Sequence, residues 1–132
     1  DFNGDGNLDL AVVVAGEESI EVYKGDGLGN FKMQARYETG VNPHGLTSDD
    51  FNNDGNLDLA VSNRTSGGIA IFLGKGNGDF ENTSSIYTGN DGIAIANGDF
   101  DGDGIIDLAM VSASSHSLLF YRGDGKGGFN PW

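Results

Sequence analysis

Acidic residues in this chain are concentrated in three short segments whose spacing suits a hard metal ion. Each segment follows the pattern D-x-[DN]-x-D-G-x-x-D. A loop of this form can curl around an ion so that positions 1, 3 and 5 direct side-chain oxygens inward. Glycine at position 6 permits the bend, position 7 offers its backbone carbonyl, and the acid at position 9 closes the coordination sphere. The segments therefore predict up to three Ca²⁺ ions per chain.

The predicted ligands are the residues at positions 1, 3, 5, 7 and 9 of each segment. They are Asp1, Asn3, Asp5, Asn7 and Asp9 in the first segment, Asp50, Asn52, Asp54, Asn56 and Asp58 in the second, and Asp99, Asp101, Asp103, Ile105 and Asp107 in the third. Ile105 agrees with this scheme because its side chain has no ligand atom, so only its carbonyl could bind.

The charge balance also indicates a bound cation. The formal charge is −13, from 20 acidic and 7 basic residues, and ten of the acids lie in the three segments. Acids packed so closely repel one another unless a cation neutralises them, and three divalent ions would reduce the charge to −7. So acidic a chain repels phosphate backbones, which argues against nucleic-acid binding. Without cysteine there are no thiolate ligands, and oxygen ligands favour Ca²⁺ or Mg²⁺ over zinc or copper.

The acidic segments belong to a longer internal repeat. Successive copies begin at Asp1, Asp50 and Asp99, so that each is offset by 49 residues from the one before. A glycine-rich stretch keeps the same offset at residues 25–31, 74–80 and 123–129. Two markers in one register predict a single domain over residues 1–132, made of repeats at about 1–40, 41–89 and 90–132.

Each repeat is expected to form short β-strands. The middle repeat predicts strands at about 45–49, 57–62, 69–73 and 80–88, and no window shows a helical period. Four short strands per repeat of this length are typical of a β-propeller blade. Six phenylalanines also recur in register and are predicted to anchor the blades against one another. They are Phe2, Phe51 and Phe100 in the acidic segments, and Phe31, Phe80 and Phe129 after the glycines.

The sequence therefore predicts an all-β fold of three consecutive four-stranded β-propeller blades. The first and last blades are expected to be incomplete, because no strand precedes Asp1 and the chain stops at Trp132, where a fourth strand begins. Propellers usually close with about four to eight blades. Further blades are expected from the parent chain or from self-association, which makes this a part of a larger or oligomer-completed propeller.

The repeats resemble the FG-GAP/VCBS family, which includes the propeller of integrin α-subunits. The segments begin like an EF-hand, but Val12, Val61 and Met110 stand where its final glutamate would be. The FG-GAP resemblance implies a Ca²⁺ ion in the hairpin between the first two strands of each blade. It also implies an extracellular location, either secreted or at the cell surface.

Two functional hypotheses follow. The first is a non-enzymatic, extracellular Ca²⁺-binding propeller that recognises a protein or glycan in adhesion, with structural calcium and no membrane insertion. The alternative is the propeller portion of a secreted carbohydrate-active enzyme whose active site lies elsewhere. Arg122-Gly123-Asp124 spells an adhesion tripeptide, but the simpler explanation is a strand that ends in a basic residue before a Gly-Asp turn.

Overall fold

The computed structural model describes residues 1–89 and 91–132, and the predicted start of the third repeat, Asn90, lies outside the described residues. The first sheet contains β1 (Leu10–Val14), β2 (Ser19–Gly25) and β3 (Phe31–Glu38), with a 3₁₀ turn at Ala15–Glu17. The second sheet contains β4 (Pro43–Asp49), β5 (Asp58–Asn63), β6 (Gly68–Gly74) and β7 (Phe80–Tyr87). The third sheet contains β8 (Gly92–Gly98), β9 (Asp107–Ser112), β10 (Ser117–Gly123) and β11 (Phe129–Pro131).

Each sheet is an antiparallel meander in which neighbours in sequence are neighbours in space. The strand orders are β1-β2-β3, β4-β5-β6-β7 and β8-β9-β10-β11. The predicted all-β fold is confirmed, and the strands predicted for the middle repeat end within two residues of those observed. Among the described residues no helix has the length and apolar character needed to cross a membrane.

The sequence repeat extends to irregularities of the backbone. The pairing of β2 with β3 shifts register between Val22 and Tyr23, and that of β6 with β7 shifts between Ile71 and Phe72. These positions are separated by the repeat length of 49 residues. The first strands of the second and third sheets have a matching pair of shifts, near Pro43 and Gly92. Because a bulge bends a strand and increases its twist, the second and third sheets begin with the same local deformation.

The second sheet is covered on both faces, which explains its nearly continuous apolar strands. All six residues of β5 are buried. One face of the sheet packs against the first sheet, and the other packs against the third. The cluster toward the first sheet contains Ile20, Val22, Leu59, Val61, Ala70, Phe72 and Phe80. The cluster toward the third sheet contains Phe51, Ala60, Ile69, Ile71, Leu108, Met110, Tyr121 and Phe129.

Phenylalanine pairs join the sheets at equivalent places. Phe2 meets Phe80 edge to face with ring centroids 5.3 Å apart, and Phe51 meets Phe129 in the same way at 5.5 Å. In each pair the acidic segment of one sheet supplies one ring, and the last strand of the next sheet supplies the other. Phe31 and Phe100 depart from the predicted anchoring role, because they are 45% and 46% exposed on faces that no described sheet covers.

This packing predicts different stability effects for two equivalent phenylalanines. Phe51→Ala should reduce the free energy of unfolding by about 3–5 kcal/mol, because it empties a fully packed site between two sheets. Phe100→Ala, at the same repeat position on an open face, should cost clearly less. Urea unfolding of both variants and the parent chain measures the difference, and equal losses would contradict the packing described here.

Candidate metal centres

The acidic segments form three equivalent loops, each of which leads directly into a strand of its sheet: β1, β5 and β9. Acidic loops 1, 2 and 3 are residues 1–9, 50–58 and 99–107. Loop 2 connects β4 to β5, and loop 3 connects β8 to β9. The glycine-rich stretches form glycine turns 1, 2 and 3, at residues 25–31, 74–80 and 123–129. Each glycine turn connects the last two strands of its sheet and lies against the acidic loop of the same sheet.

The carboxylate at position 1 curls each loop around itself. In loop 3, one oxygen of Asp99 accepts the N–H groups of Gly102 and Asp103 at 2.7 and 3.1 Å. Its other oxygen accepts the N–H of Gly104 at 2.9 Å. The glycine at position 6 has a φ of +85° there, a left-handed conformation that disfavours side chains. The equivalent carboxylates in the other loops are those of Asp1 and Asp50.

Positions 3 and 5 continue this curl. In loop 2, Asn52 Oδ1 accepts the N–H of Asp54 at 3.0 Å, and Asp54 Oδ1 accepts the N–H of Asn56 at 2.8 Å. Asn52 Nδ2 also donates to Asp54 Oδ2 at 2.9 Å, and this bond holds the pKa of Asp54 below its usual range. The side chains at alternate positions are thereby fixed on the inner side of the loop.

The side chain at position 7 is directed away from the other predicted ligands. A β-carbon added to Gly76 of glycine turn 2 would stand 2.4 Å from Asn56 Oδ1. One added to Gly125 would stand 3.6 Å from Cδ1 of Ile105. Asparagine and isoleucine thus place their side chains against the glycine turn in the same way. This arrangement leaves the backbone carbonyl as the ligand group that position 7 can offer.

The carboxylate at position 9 was predicted as a ligand, but the sequence did not reveal its second role, which is to accept two backbone hydrogen bonds. Asp58 is fully buried and uses both oxygens, accepting the N–H of Phe51 at 2.9 Å and that of Gly74 at 2.8 Å. Asp107 in loop 3 and Asp9 in loop 1 make the same pair of bonds. This carboxylate therefore ties the start of the loop to the glycine turn, in addition to any metal that it binds.

Glycine is required at position 74 for the hydrogen bond to Asp58, because the backbone of the glycine turn lies very close to that of the acidic loop there. A β-carbon at this position would stand 2.2 Å from the carbonyl oxygen of Leu57, so any side chain would force the turn away. The two markers of the repeat are thus in direct contact. The constant separation of 16 residues between the position-9 aspartate and its glycine is the signal that could have revealed the bond.

Burial raises the pKa of Asp58, against the lowering effect of the N–H groups of Gly74 and Phe51. The neighbouring carboxylates of Asp54 and Asp50 raise it further by repulsion. A cation among these groups would reverse the repulsion, since an opposite charge favours the ionised carboxylate.

The carboxylates converge most closely in loop 3. Asp99, Asp101 and Asp107 each place one oxygen within 4.8 Å of the other two, and Asp103 is not part of this group. Loops 1 and 2 have an asparagine amide at position 3, so their donor set contains one carboxylate fewer. All three donor sets consist of oxygen atoms from carboxylates, amides and carbonyls, which fits Ca²⁺ in ligand type.

The tripeptide Arg122-Gly123-Asp124 is engaged in local contacts. Arg122 pairs with Asp101 at 2.5 Å and lies over the ring of Trp132, with its guanidinium carbon 5.0 Å from the ring centroid. Gly123 donates its N–H to Asp107, and Asp124 accepts two N–H groups within glycine turn 3. These contacts account for the tripeptide as part of the turn.

Backbone hydrogen bonds connect acidic loops 1 and 2 to the sheet that follows each of them. The N–H of Gly78 donates to the carbonyl of Phe2 at 2.8 Å, and that of Gly127 donates to the carbonyl of Phe51 at 3.1 Å. Glycine turns 2 and 3 therefore each contact two acidic loops, that of their own sheet and that of the preceding sheet. Loops and turns alternate in one hydrogen-bonded row across the three sheets.

Comparison with known families identifies the class of this protein. The chain matches the family described as FG-GAP-like repeat over residues 1–61 and again over residues 50–110. The chain belongs to the FG-GAP-like repeat family, as the resemblance predicted. Members of this family often bind Ca²⁺ and are typical of extracellular proteins. No curated protein and no solved structure matches the chain.

The two hydrogen bonds accepted by Asp58 predict that Asp58→Asn destabilises the chain even without metal. An amide has one acceptor oxygen, so one of two buried N–H groups would lose its partner, at a cost of about 1–3 kcal/mol. Asp54→Asn makes the same chemical change at an exposed position and should alter stability much less. Chemical denaturation in the presence of chelator measures both effects, and a neutral Asp58→Asn would disprove the structural role of this carboxylate.

Proposed function

We propose that the three sheets are consecutive blades of a β-propeller and that each acidic loop binds one Ca²⁺ ion in a structural role. The observation that carries this proposal is the convergence of the carboxylates of Asp99, Asp101 and Asp107 within 4.8 Å. In loops 1 and 2, as in loop 3, the side chain at position 3 accepts the N–H of position 5, and the side chain at position 5 accepts the N–H of position 7. This shared geometry supports extending the proposal to all three loops. The match of the chain to a family that often binds Ca²⁺ supports it independently.

The role proposed for calcium follows from what the loops hold. Bound Ca²⁺ neutralises the facing carboxylates and fixes positions 1 to 9 around one point. Position 2 of loop 2 is Phe51, whose ring and carbonyl both contact the third sheet. A fixed loop therefore holds the neighbouring sheet in place, so that calcium supports the junctions between sheets and takes no part in a reaction.

The module is proposed to act in extracellular recognition and to have no catalytic activity of its own. Apart from the acids, the loops contain only Asn, Gly, Phe, Leu and Ile, so the loops themselves supply no base or nucleophile beyond the predicted ligands. FG-GAP-like repeats are typical of extracellular proteins, which supports a secreted or surface location. The partner is a protein or a glycan, and further blades come from the parent chain or from a second copy.

Calcium binding is tested by calorimetric titration of the chelated chain. We expect up to three sites, with Ca²⁺ preferred over Mg²⁺, because a carboxylate-rich loop leaves little room for the waters that Mg²⁺ retains. Each site bound only in the folded state should add about 2.7 kcal/mol of stability at a hundredfold excess over Kd. The melting temperature should therefore fall when chelator is added.

Variants assign the sites. Asp54→Ala and Asp103→Ala should each remove one site, whereas Glu81→Ala removes an acid that pairs with Lys75 outside the loops and should leave all sites intact. A chain that gives no heat with Ca²⁺, and whose melting temperature is the same with and without chelator, would refute the proposal.

Recognition is tested on arrays of immobilised glycans and extracellular matrix proteins. The Ca²⁺-loaded chain should be retained on at least one ligand, and chelator should release it because the sheets lose their mutual order. Heat-unfolded chain serves as the control for non-specific adhesion. No retention on any ligand, or retention that chelator does not change, would contradict calcium-dependent recognition.

A further inference from the structure

The residue before the first glycine of each glycine turn differs among the three repeats. Lys24, Leu73 and Arg122 occupy this position, 49 residues apart. Lys24 Nζ lies 2.8 Å from Asp5 Oδ2 in loop 1, and Arg122 Nη2 lies 2.5 Å from Asp101 Oδ2 in loop 3. Two of the three candidate metal centres therefore contain a positively charged side chain that is bonded to a predicted ligand.

Loop 2 has no such charge among its described contacts. Leu73 packs against the apolar cluster between the second and third sheets. The second oxygen of Asp54 accepts a hydrogen bond from the neutral amide of Asn52 at 2.9 Å. A cation that enters loop 2 therefore displaces an amide contact, whereas one that enters loop 1 or loop 3 must displace an ammonium or a guanidinium group.

We propose that the residue before the glycine turn sets the order of calcium affinity among the loops, with Lys24 and Arg122 acting as competing internal cations. This inference rests on the proposed function, since it concerns how tightly the same loops bind Ca²⁺. Each basic group occupies a carboxylate oxygen and repels an arriving ion. Loop 2, which lacks this competitor, binds Ca²⁺ more tightly than its equal in ligand types, loop 1.

In loop 3 the basic side chain has two opposing effects, on the stability of the metal-free chain and on calcium affinity. It has one more carboxylate than the other loops, and Arg122 pairs with that additional group, Asp101. Removing the guanidinium exposes a centre of four acids with no internal cation. In the chain without metal, the same ion pair relieves repulsion among those acids. Loss of Arg122 should therefore weaken the metal-free state and strengthen calcium binding, and a merely structural ion pair would show only the first effect.

The structure provides a reporter for loop 3 alone. Trp132, the single tryptophan of the chain, lies 5.0 Å from the guanidinium carbon of Arg122. When Ca²⁺ releases Arg122 from Asp101, the cation over the indole ring shifts, so tryptophan emission should change with occupancy of this loop. Sensitised emission from Tb³⁺, a luminescent substitute for Ca²⁺, does not depend on the Arg122 side chain, so it is the signal used for variants that lack Arg122.

The test compares Arg122→Leu, which copies Leu73, with Arg64→Leu as the matched control. Arg64 pairs with Asp91 away from the loops and is exposed to a similar degree, 46% against 52%. Both variants remove one positive charge, so the control measures the general effect of charge. Arg122→Leu should lower the Kd of loop 3 by roughly threefold to tenfold, and Arg64→Leu by less than about twofold.

A second variant makes the test independent of the tryptophan environment. Lys24→Leu should tighten loop 1 in a calorimetric titration, and the rise of its melting temperature on adding Ca²⁺ should exceed that of the parent chain. Unchanged or weaker binding in both Arg122→Leu and Lys24→Leu would overturn the inference while leaving calcium binding itself intact. Failure of every protein, including the parent chain, to bind Ca²⁺ would instead overturn the proposed function.

Discussion

A buried carboxylate with two backbone donors is the constraint on which the rest of this structure depends. Asp58 and Asp107 have no exposed surface, yet each satisfies both oxygens with N–H groups from an acidic loop and a glycine turn. Removing a charge from water is costly, and these hydrogen bonds offset part of that cost. The same bonds fix the acidic loop and the turn relative to each other, and hence the phenylalanine rings that connect one sheet to the next.

Charge is arranged around this constraint in two ways. The loops concentrate carboxylates that a divalent cation can hold together, and two of them also carry a basic side chain of their own. Lys24 and Arg122 moderate the repulsion locally, whereas loop 2 relies on the neutral amide of Asn52. The repeats therefore share one backbone geometry and differ in the charges around each loop. Such charge differences can give loops with nearly identical ligands different affinities for a divalent cation.

Much of the fold could be predicted from the sequence, because local patterns determine it. Alternating short apolar runs and glycine-rich turns predicted the strands of the second sheet, and the acidic pattern predicted the family. The exposure of Phe31 and Phe100 could not be predicted from their own repeats, since it depends on whether another sheet covers them. The metal and its ligand set remain predictions, although the structure brings three of the ligands in loop 3 together.

The contacts across sheets were beyond sequence reasoning for a different reason. They join backbone atoms, such as the N–H of Gly127 and the carbonyl of Phe51, and a backbone group leaves little trace in the identity of a residue. The pairing of Arg122 with Asp101 was equally hidden, because Leu73 interrupts the basic pattern at that position and no repeat marks it as functional.

The use of backbone atoms at these junctions has a consequence for how such genes can change. A bond from any glycine turn to any acidic loop requires only the shared loop geometry, so one unit can follow another without matched side chains at that contact. Because each repeat contacts mainly its neighbours, an unequal crossover that inserts or deletes one 49-residue unit would recreate an intact junction at the splice. Copy number can therefore vary by recombination, while substitutions within each copy diversify its charges and outer surface.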